Sequence, residues 1–450
     1  MPLITVIMPS LNVKKYIRSC MDSVLGQTLQ DMEIIAVDAG STDGTLEILE
    51  EYAARDGRLR VICSDRKSYG YQVNLGLENA KGDYIGIVET DDLIRPAMYE
   101  TLYHMAVQND LEYIKGGFSQ FIELENGLRW HQPGGNCIFD RALRGKILSP
   151  KSMPELATQD YYLWAGIYDR IFLKDIRLSE TPGAAFQDIG FIYQVLSTAD
   201  RAMYLSEELY DYRQTGGNSS FHRDGFKYLV DEYRLLEKIL PQKPDVWKQA
   251  YYERMFRQTI GRFQRMAIAG RYQGAPDMDV LRENMRQAEH GGIFKTDKLS
   301  IDDRALYNQL QNCPAGIFDT FYEKWQPERK RLEGLLNFVC DKEAVIFSCG
   351  KYGRFVHLLL EYYKKGQVKA FCDNNEVFWN DTVQGISVLS PERTAEEYKS
   401  ALYVIANLNN ENEIKKQLEE AMIPEERIYA YRPDFEIGLF FAHGCGGEDV

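Results

Sequence analysis

The first hundred residues alternate short apolar runs, which predict strands, with amphipathic stretches of helical spacing. The runs cover residues 3–8, 33–37, 59–63 and 84–88, and the helical stretches cover 16–25, 46–54 and 72–79. Strands and helices that alternate over short connections predict an α/β fold, with a parallel sheet covered by helices on both faces. In such sheets, ligands bind beyond the carboxyl ends of the strands.

Polar clusters follow three of these predicted strands, at residues 9–12, 38–45 and 89–92. The last cluster, Glu89-Thr90-Asp91-Asp92, places three carboxylates in one turn. Carboxylates so close together repel one another unless a cation lies among them, and oxygen ligands suit Mg²⁺ or Mn²⁺. The cluster therefore predicts a site that holds a diphosphate through a metal ion. The alternative is a solvated acidic turn.

The pattern changes twice along the rest of the chain. The alternation of strands and helices becomes less regular over residues 110–220. Helical periodicity then dominates over 225–335, which is typical of a packing layer or an oligomer face. A second strand–helix alternation begins near Glu343. We therefore predict four regions, which are an α/β domain over 1–222, a helical region over 223–337, a smaller Rossmann-like α/β domain over 338–435 and a tail over 436–450.

Length and charge narrow the class of protein. A chain of 450 residues is too long for one ordinary core. The net charge of −14 argues against duplex nucleic acid as a partner, whereas a metal ion and an arginine can still hold a small anion. We find no signal peptide and no apolar stretch of the roughly 20 residues that cross a bilayer. The eight cysteines form no CxxC pair, so we expect reduced thiols and a cytoplasmic location.

Four motifs in the first hundred residues occur in a familiar order and spacing. They are Met-Pro-Ser-Leu-Asn at 8–12, Val-Asp-Ala-Gly-Ser-Thr-Asp-Gly-Thr at 37–45, Ala-Lys-Gly-Asp-Tyr-Ile at 80–85 and Glu-Thr-Asp-Asp at 89–92. Together they resemble the GT-A fold glycosyltransferases of family 2 over residues 3–100. The resemblance implies a nucleotide-sugar donor, usually a UDP-sugar, a divalent metal and inversion at the anomeric carbon.

The resemblance also implies roles for individual residues. The first loop, whose backbone contacts the base, corresponds to Pro9, Ser10 and Asn12. Asp38 matches the acid that binds uracil. Asp91 matches the metal-binding acid of the DxD motif, and Asp92 is its neighbour on ribose or metal.

Two departures from the family pattern put details in doubt. Glu89 stands where the family more often has aspartate, so its direct ligation of the metal is open. The family often has Ala-Arg-Asn before its third helix, whereas this chain has Gln-Val-Asn at 72–74. The arginine that would hold the donor is missing or moved, and Arg66 or Lys67 could take its place.

A second constellation surrounds Asp188. The family usually has Glu-Asp followed by an aromatic residue, and this chain has Gln187-Asp188 with Phe191 three residues on. The resemblance implies that Asp188 is the general base, since inverting transfer needs a carboxylate to take the proton of the acceptor hydroxyl. Gln187 removes a neighbouring negative charge, which should lower the pKa of that base relative to a paired acid. The alternative is that Asp188 caps a helix.

A third constellation begins at Arg213. Tyr212-Arg213 followed by a Gly-Gly-Asn-Ser-Ser run at 216–220 resembles the motif that closes family GT-A domains. A guanidinium suits a departing diphosphate, so we assign Arg213, with Ser219 or Ser220, to the UDP leaving group. His222 could join the metal or lie on the surface. Trp164 could stack on the acceptor sugar or belong to the core.

The last constellation, Ser-Cys-Gly-Lys-Tyr-Gly at 348–353, is an incomplete dinucleotide fingerprint. Asp373 follows the next predicted strand, where a ribose-binding acid would be. We prefer a structural or partner-docking role for this unit over nucleotide binding.

The resemblance implies an inverting, metal-dependent glycosyltransferase that moves a sugar from a UDP-sugar to a cell-surface glycan, a polyol-phosphate or a lipid-linked acceptor. One alternative is a non-catalytic nucleotide-sugar-binding scaffold in a glycan assembly complex. Another is an NAD-linked sugar-modifying enzyme centred on Gly350. We expect no nucleic acid partner. Peripheral association with a biosynthetic complex at the inner face of the membrane, and a homo-oligomer, are compatible with the helical region.

Overall fold

A computed structural model describes residues 1–183, 186–214, 225–268, 276–407 and 409–432. The strands of its first sheet are β1 (Ile4–Ser10), β2 (Met32–Asp38), β3 (Leu59–Cys63), β4 (Tyr84–Ile87), β5 (Leu93–Ile94), β6 (Tyr113–Glu123), β7 (Arg129–Gly135), β8 (Gly166–Asp169) and β9 (Ala202–Arg213). The helices around this sheet are α1 (Lys14–Leu25), α2 (Thr45–Arg55), α3 (Tyr69–Asn79), α4 (Met98–Asn109) and α5 (Gln187–Leu196). The sequence therefore predicted the first four strands and three helices, with boundaries that shift by a few residues.

The first sheet is mixed. Its spatial order is β3-β2-β1-β4-β8-β6-β9-β5, and β7 pairs with β6. β1 to β4 are parallel, as the alternation predicted, whereas β8 is antiparallel to both β4 and β6. β5 pairs antiparallel with β9, with Leu93 opposite Asp211. This pairing places the acidic turn, which precedes β5, next to the end of β9.

The helical region consists of α6 (Gly225–Leu236), α7 (Asp245–Ile268), α8 (Pro276–His290), α9 (Ile301–Asn312) and α10 (Pro314–Val339). It shares one apolar core with the sheet, because Ile7 and Tyr168 belong to the same buried cluster as Trp247 and Phe256. Burial of such side chains contributes about 1.5–3 kcal/mol each to folding. The border near residue 222 remains a prediction.

A second sheet follows, with strands β10 (Glu343–Phe347), β11 (Gln367–Cys372), β12 (Thr382–Val383), β13 (Ile386–Leu389), β14 (Leu402–Ile405) and β15 (Ile428–Ala430). The helices between them are α11 (Lys351–Tyr362), α12 (Pro391–Glu397) and α13 (Glu411–Glu420). Its order is β12-β13-β11-β10-β14-β15. The unit rests on the β6–β7 hairpin, where the ring of Trp130 lies 4.8 Å from that of Phe355.

Two further observations concern the described residues alone. None of their helices combines the length and the apolar composition that a membrane crossing needs. Their cysteines are free thiols, and Cys445 lies outside the described residues.

Candidate active site

A cavity of about 690 Å³ opens where β1 and β4 end. Its wall brings together segments that are far apart in the sequence. They are the first loop at 9–11, the start of α3, the acidic turn at 89–91, the segment 161–164, the start of α5 and one face of α7. Glu89, Asp91 and Asp188 therefore share one cavity, as ligand binding at the carboxyl ends of the strands would require.

Hydrogen bonds fix the acidic turn in place. The Thr90 hydroxyl donates to the Pro9 carbonyl at 2.9 Å, which ties the turn to the end of β1. Both carboxylate oxygens of Asp92 are bonded, one by the Tyr210 hydroxyl at 2.7 Å and the other by the Arg213 amide at 2.6 Å. Asp92 is fully buried and lies off the cavity wall. Its observed contacts hold the end of β9 on the turn.

The turn carries more negative charge than its surroundings favour. Burial, with the charge of Asp91 nearby, raises the pKa of Glu89 to about 8, although a hydrogen bond from Tyr69 opposes the rise. Burial also raises the pKa of Asp91, and Arg213 opposes that rise. The pKa of Asp92 lies well above its usual range because of burial and the Asp91 charge. A bound cation would therefore relieve unfavourable charge at this turn.

The donor set also suits a divalent cation. Asp91 is a hard oxygen ligand on the cavity wall, of the type that Mg²⁺ and Mn²⁺ prefer. Glu89 reaches the same wall but accepts a hydrogen bond from Tyr69. Among the described residues, no group of three or more His, Cys, Asp and Glu side chains is arranged to hold a metal ion. A metal at Asp91 would then need oxygen ligands from its substrate, and substrate phosphates commonly supply them.

Two residues of the first loop line the cavity, whereas a third is bonded to the turn that follows β2. Pro9 and Ser10 line the cavity, and the Ser10 hydroxyl is buried without a hydrogen-bond partner. A buried orphan hydroxyl on a cavity wall suits a ligand that would satisfy it. Asn12 instead accepts from the Thr42 amide at 2.8 Å, and Asp38 accepts from the amides of its own turn at 2.9 and 2.8 Å.

Asp38 and Asn12 thus lie off the cavity wall, and the Asn12 side chain joins the first two loops to each other. Asp38 is 1% exposed, and its second carboxylate oxygen accepts from the Ser41 hydroxyl at 2.5 Å. Its contact with a nucleobase remains a prediction.

The position of the missing arginine is occupied by a core residue, because Val73 is fully buried. Its neighbour Gln72 donates to the carbonyls of Ser10 and Val37 at 2.9 and 2.6 Å and so links the ends of β1 and β2. Of the two candidate replacements, Lys67 lines the cavity. Arg66 is exposed and pairs with Glu180 at 2.9 Å.

Asp188 lies in the first turn of α5, on the cavity wall. The N-cap is Phe186, with φ of 67°, so the alternative in which Asp188 caps the helix is wrong. Burial raises the pKa of Asp188 to about 6, while Arg254 opposes the rise. Gln187 is anchored by donation to the Thr181 hydroxyl at 2.8 Å, which fixes the backbone just before Asp188. A partly buried carboxylate with this pKa is suited to accept a proton near neutral pH.

Arg213 lies behind the acidic turn rather than on the cavity wall. Its Nε donates to the Asp91 carbonyl at 2.5 Å, its Nη1 pairs with Glu123, and Nη2 is buried without a partner. The guanidinium is sandwiched between the rings of Tyr16 and Phe121, at 4.9 and 4.4 Å. The structure therefore shows Arg213 supporting the Asp91 backbone. Ser219, with Ser220, the glycine pair and His222, lies outside the described residues.

Trp164 belongs to the core and also reaches the cavity, and its stacking on an acceptor sugar remains a prediction. It is 5% exposed and stacks between the rings of Tyr210 and Tyr212, at 4.6 and 4.9 Å, yet it lines the cavity.

Several residues at this site were missed by the sequence analysis. Tyr69 bonds Glu89, and Glu232 on α6 accepts from the Gly190 amide at 3.0 Å beneath α5. Burial raises the pKa of Glu232 to about 8. A cluster of arginines on α7 also lines the cavity. Each contact joins residues more than 15 positions apart, so no local pattern signals it.

The turn that begins at Ser348, after β10, is held by hydrogen bonds and close packing among its own residues. The Asp373 carboxylate accepts from the amides of Cys349 and Asn375, at 3.0 Å each. Gly353 packs so closely that an added Cβ would lie 1.8 Å from the Ser348 carbonyl oxygen. Asp373 therefore serves the turn itself, which favours the structural role.

Comparisons with known proteins agree with this architecture. Residues 5–166 match the family described as Glycosyl transferase family 2. The uncharacterized glycosyltransferase EpsJ of Bacillus subtilis is 32% identical over 246 residues, which cover 52% of this chain and 66% of EpsJ. The uncharacterized glycosyltransferase YibD of Escherichia coli is 28% identical over 303 residues, which cover 65% of this chain and 86% of YibD.

Among solved structures, residues 1–349 of S. aureus TarS in complex with UDP-GlcNAc superimpose with a TM-score of 0.51 at 17% identity. The match covers 73% of this chain and 92% of that chain. At this identity the likeness shows the GT-A fold. The chain spans just under two thirds of the length of EpsJ.

Proposed function

We propose that this chain, whose residues 5–166 match glycosyl transferase family 2, moves a sugar from a UDP-sugar, with inversion, to a hydroxyl of a cell-surface glycan or polymer precursor. The observation that carries this proposal is the single cavity that contains Ser10, Asp91 and Asp188. The likeness to TarS, which was solved in complex with UDP-GlcNAc, supports a UDP-sugar as the donor class.

The chain's own residues have distinct tasks in this reaction. The first loop binds the donor, with the Ser10 hydroxyl gaining the partner that it lacks. The carboxylate of Asp188 accepts the proton of the acceptor hydroxyl as its oxygen bonds to the anomeric carbon. The bond from that carbon to the diphosphate breaks, and UDP leaves with the electron pair. In an inverting transfer, Asp188 would act from the face of the sugar opposite the leaving group.

Asp91 would hold Mg²⁺ or Mn²⁺, and Glu89 would join it once its proton is lost. When bound, the metal supplies positive charge that stabilises the departing diphosphate. Arg213 lies behind the acidic turn and supports it. It donates a hydrogen bond to the Asp91 carbonyl, and its charge opposes the rise in the pKa of Asp91.

UDP release from a panel of nucleotide sugars, measured with Mn²⁺ and mixed acceptors, tests the proposal. We expect turnover with a UDP-sugar that needs both an acceptor and wild-type Asp188. UDP binding without turnover for any donor would instead favour the non-catalytic scaffold. Absence of UDP binding, with and without Mn²⁺, would overturn both.

A further inference from the structure

Glu232 is a buried carboxyl group on α6 that packs against the start of α5. It is 2% exposed. Its Oε1 atom accepts a hydrogen bond from the Gly190 amide at 3.0 Å, and its Oε2 atom accepts one from the Ser179 hydroxyl. A buried carboxyl group is costly unless its oxygens are bonded, and here both are. Glu232 therefore joins α6 to α5 and to the segment that precedes α5.

The turn of α5 that Glu232 binds is the turn that carries the predicted base. The early amides of a helix have no partner within that helix. Asp188 accepts hydrogen bonds from the Ile189 amide and from its own amide. The next amide along, that of Gly190, donates to Glu232. Two carboxyl groups thus bond three consecutive amides of one helical turn, which ties the backbone around Asp188 to Glu232.

Gly190 adds an independent observation. Glycine within a helix costs about 0.5–1 kcal/mol relative to alanine. Here the glycine has a packing reason, because an added Cβ would lie 2.1 Å from Oε1 of Glu232. A larger side chain fits only if Glu232 moves away. The close approach of the Glu232 carboxyl group to α5 therefore depends on glycine at this position.

The bond to Ser179 extends the support to α3, whose start lines the cavity. Gly70 of α3 packs so closely on Ser179 that an added Cβ would lie 1.9 Å from the Ser179 carbonyl oxygen. The side chain of Asn74 bonds the carbonyl and the amide of Leu178, at 2.9 and 3.0 Å. The segment at Ser179 is thus held on α3, and Glu232 ties the first turn of α5 to that segment.

The contact does not require a charged carboxylate. Burial raises the pKa of Glu232 to about 8, and the charge of Asp188 on α5 adds to the rise, whereas the Ser179 bond and Arg254 on α7 oppose it. Since the pKa of Asp188 is about 6, Asp188 loses its proton first as the pH rises. Near pH 7 Glu232 is therefore neutral, and an oxygen of the neutral acid can still accept the Gly190 bond.

We propose that Glu232 is a positioning residue for the general base, and that its carboxyl group holds the first turn of α5 so that Asp188 faces the cavity. This inference rests on the proposed function and adds a residue that acts through Asp188. Glu232 itself lies off the cavity wall. Misplacement of a reacting group by about 1 Å can cost on the order of 10²-fold in rate, so such a support affects turnover.

Four variants of the full chain test this role. Glu232→Gln keeps an oxygen that can accept the Gly190 bond, whereas Glu232→Ala removes it. Gly190→Ala displaces the carboxyl group without changing its chemistry. The control is Asp231→Asn, which neutralises the preceding acid of α6, where Asp231 pairs with Arg234 at 3.7 Å.

For each variant we would measure kcat and acceptor KM at saturating donor and Mn²⁺, together with UDP affinity. Hydrogen exchange of the first turn of α5, followed by mass spectrometry, reports the support without reference to transfer. Exchange requires that the hydrogen bond of an amide opens, so it measures the Gly190 contact directly.

Glu232→Ala and Gly190→Ala should lower kcat by about tenfold or more, while UDP affinity and acceptor KM change less than about twofold. Exchange at the first turn of α5 should become faster in the same two variants. Glu232→Gln should keep kcat within about threefold of wild type, because its amide oxygen replaces the acceptor. It should also leave the acid limb of the pH profile at about 6, since Glu232 is neutral there. Asp231→Asn should match wild type.

Three results would overturn the role of Glu232. They are unchanged kcat in both alanine variants, a loss in Glu232→Gln as large as in Glu232→Ala, and a loss of UDP affinity that parallels the loss of kcat. The second would assign the effect to charge, and the third to general damage to the fold. Failure of the proposed function appears differently, as UDP binding without transfer in wild type, and hydrogen exchange then still decides whether Glu232 holds α5.

Discussion

The Tyr69 hydroxyl donates a hydrogen bond of 2.5 Å to the Glu89 carboxylate on the wall of the cavity. Glu89 stands where glycosyltransferases of family 2 more often have aspartate, and its carboxylate reaches this tyrosine. The bond stabilises the charged form of Glu89 against the effect of burial. The Tyr69 hydrogen bond therefore lowers the pKa of Glu89, against the larger effect of burial.

Tyr69→Phe should shift the pH dependence of metal-dependent UDP binding upwards. Glu89 has a pKa of about 8, and binding of a cation favours its charged form, so affinity should rise as the pH rises through that value. Loss of the hydrogen bond raises the pKa further, by about one unit or more. Calorimetric titration of UDP with Mn²⁺ from pH 6 to 9 measures the midpoint. Tyr71→Phe, a matched change off the cavity wall, is the control, and an unshifted midpoint for Tyr69→Phe would contradict the prediction.

Asp188→Asn should keep UDP affinity and lose transfer, by about 10²–10⁴-fold, because an amide cannot accept the proton. In wild type the rate should fall as the pH drops through about 6, since the base acts only when deprotonated and its pKa is raised to that value. Steady-state rates between pH 4.5 and 8 check both parts. Full activity of Asp188→Asn would remove the residue from the mechanism.

Asp91→Ala should weaken UDP binding in the presence of Mn²⁺ by at least about tenfold, because the metal loses its protein ligand on the cavity wall. Binding without metal should change little. The two affinities are compared by calorimetry, with Asp83→Ala, an exposed acid at the other end of β4, as the control. If Mn²⁺ strengthens UDP binding equally in Asp91→Ala and wild type, the metal lies elsewhere.

The fold of the first hundred residues and the acidic side of the site were predictable from the sequence. Parallel strands between helices are buried on both faces, so they read as continuous apolar runs. Their carboxyl ends meet at one edge, and the polar clusters after β1 and β4 meet there too. The position of these clusters could therefore be predicted from this rule alone, without knowledge of contacts between residues distant in the sequence.

Roles that depend on partners distant in the sequence could not be predicted in this way. Arg213 is the last residue of β9, and its sequence motif predicted a cation on the departing diphosphate, yet Asp91, Glu123 and two aromatic rings hold it behind the turn. Asp38 reads as a free acid at a strand end, yet its own turn occupies both of its oxygens. The antiparallel insertion of β8 between β4 and β6 likewise depends on pairing across about 80 residues and more than 50 residues.

Lys115 illustrates the same limit, because a lysine in a strand pattern normally faces solvent. Here it is fully buried, and its Nζ bonds both oxygens of Asp160, at 2.8 and 2.7 Å. Lys115→Met should lower the free energy of unfolding by about 3–5 kcal/mol, because Asp160 is left as an uncompensated buried charge. Urea unfolding measures the change. Lys115→Met/Asp160→Asn should recover part of the loss, and equal stability of the single and double variants would contradict the charge argument.

Gly261→Ala should change stability and transfer in opposite directions. Alanine favours the helix over glycine, so the free energy of unfolding should rise by about 0.5–1 kcal/mol, since the added Cβ meets no atom within 4 Å. Gly261 lines the cavity, so the same methyl group should take up space in it and lower kcat/KM for the acceptor, and Gly261→Leu should lower it further. Urea unfolding and acceptor titration at saturating donor measure the two effects, with UDP affinity as the control. If Gly261→Leu transfers sugar as fast as wild type, the acceptor does not occupy this part of the cavity.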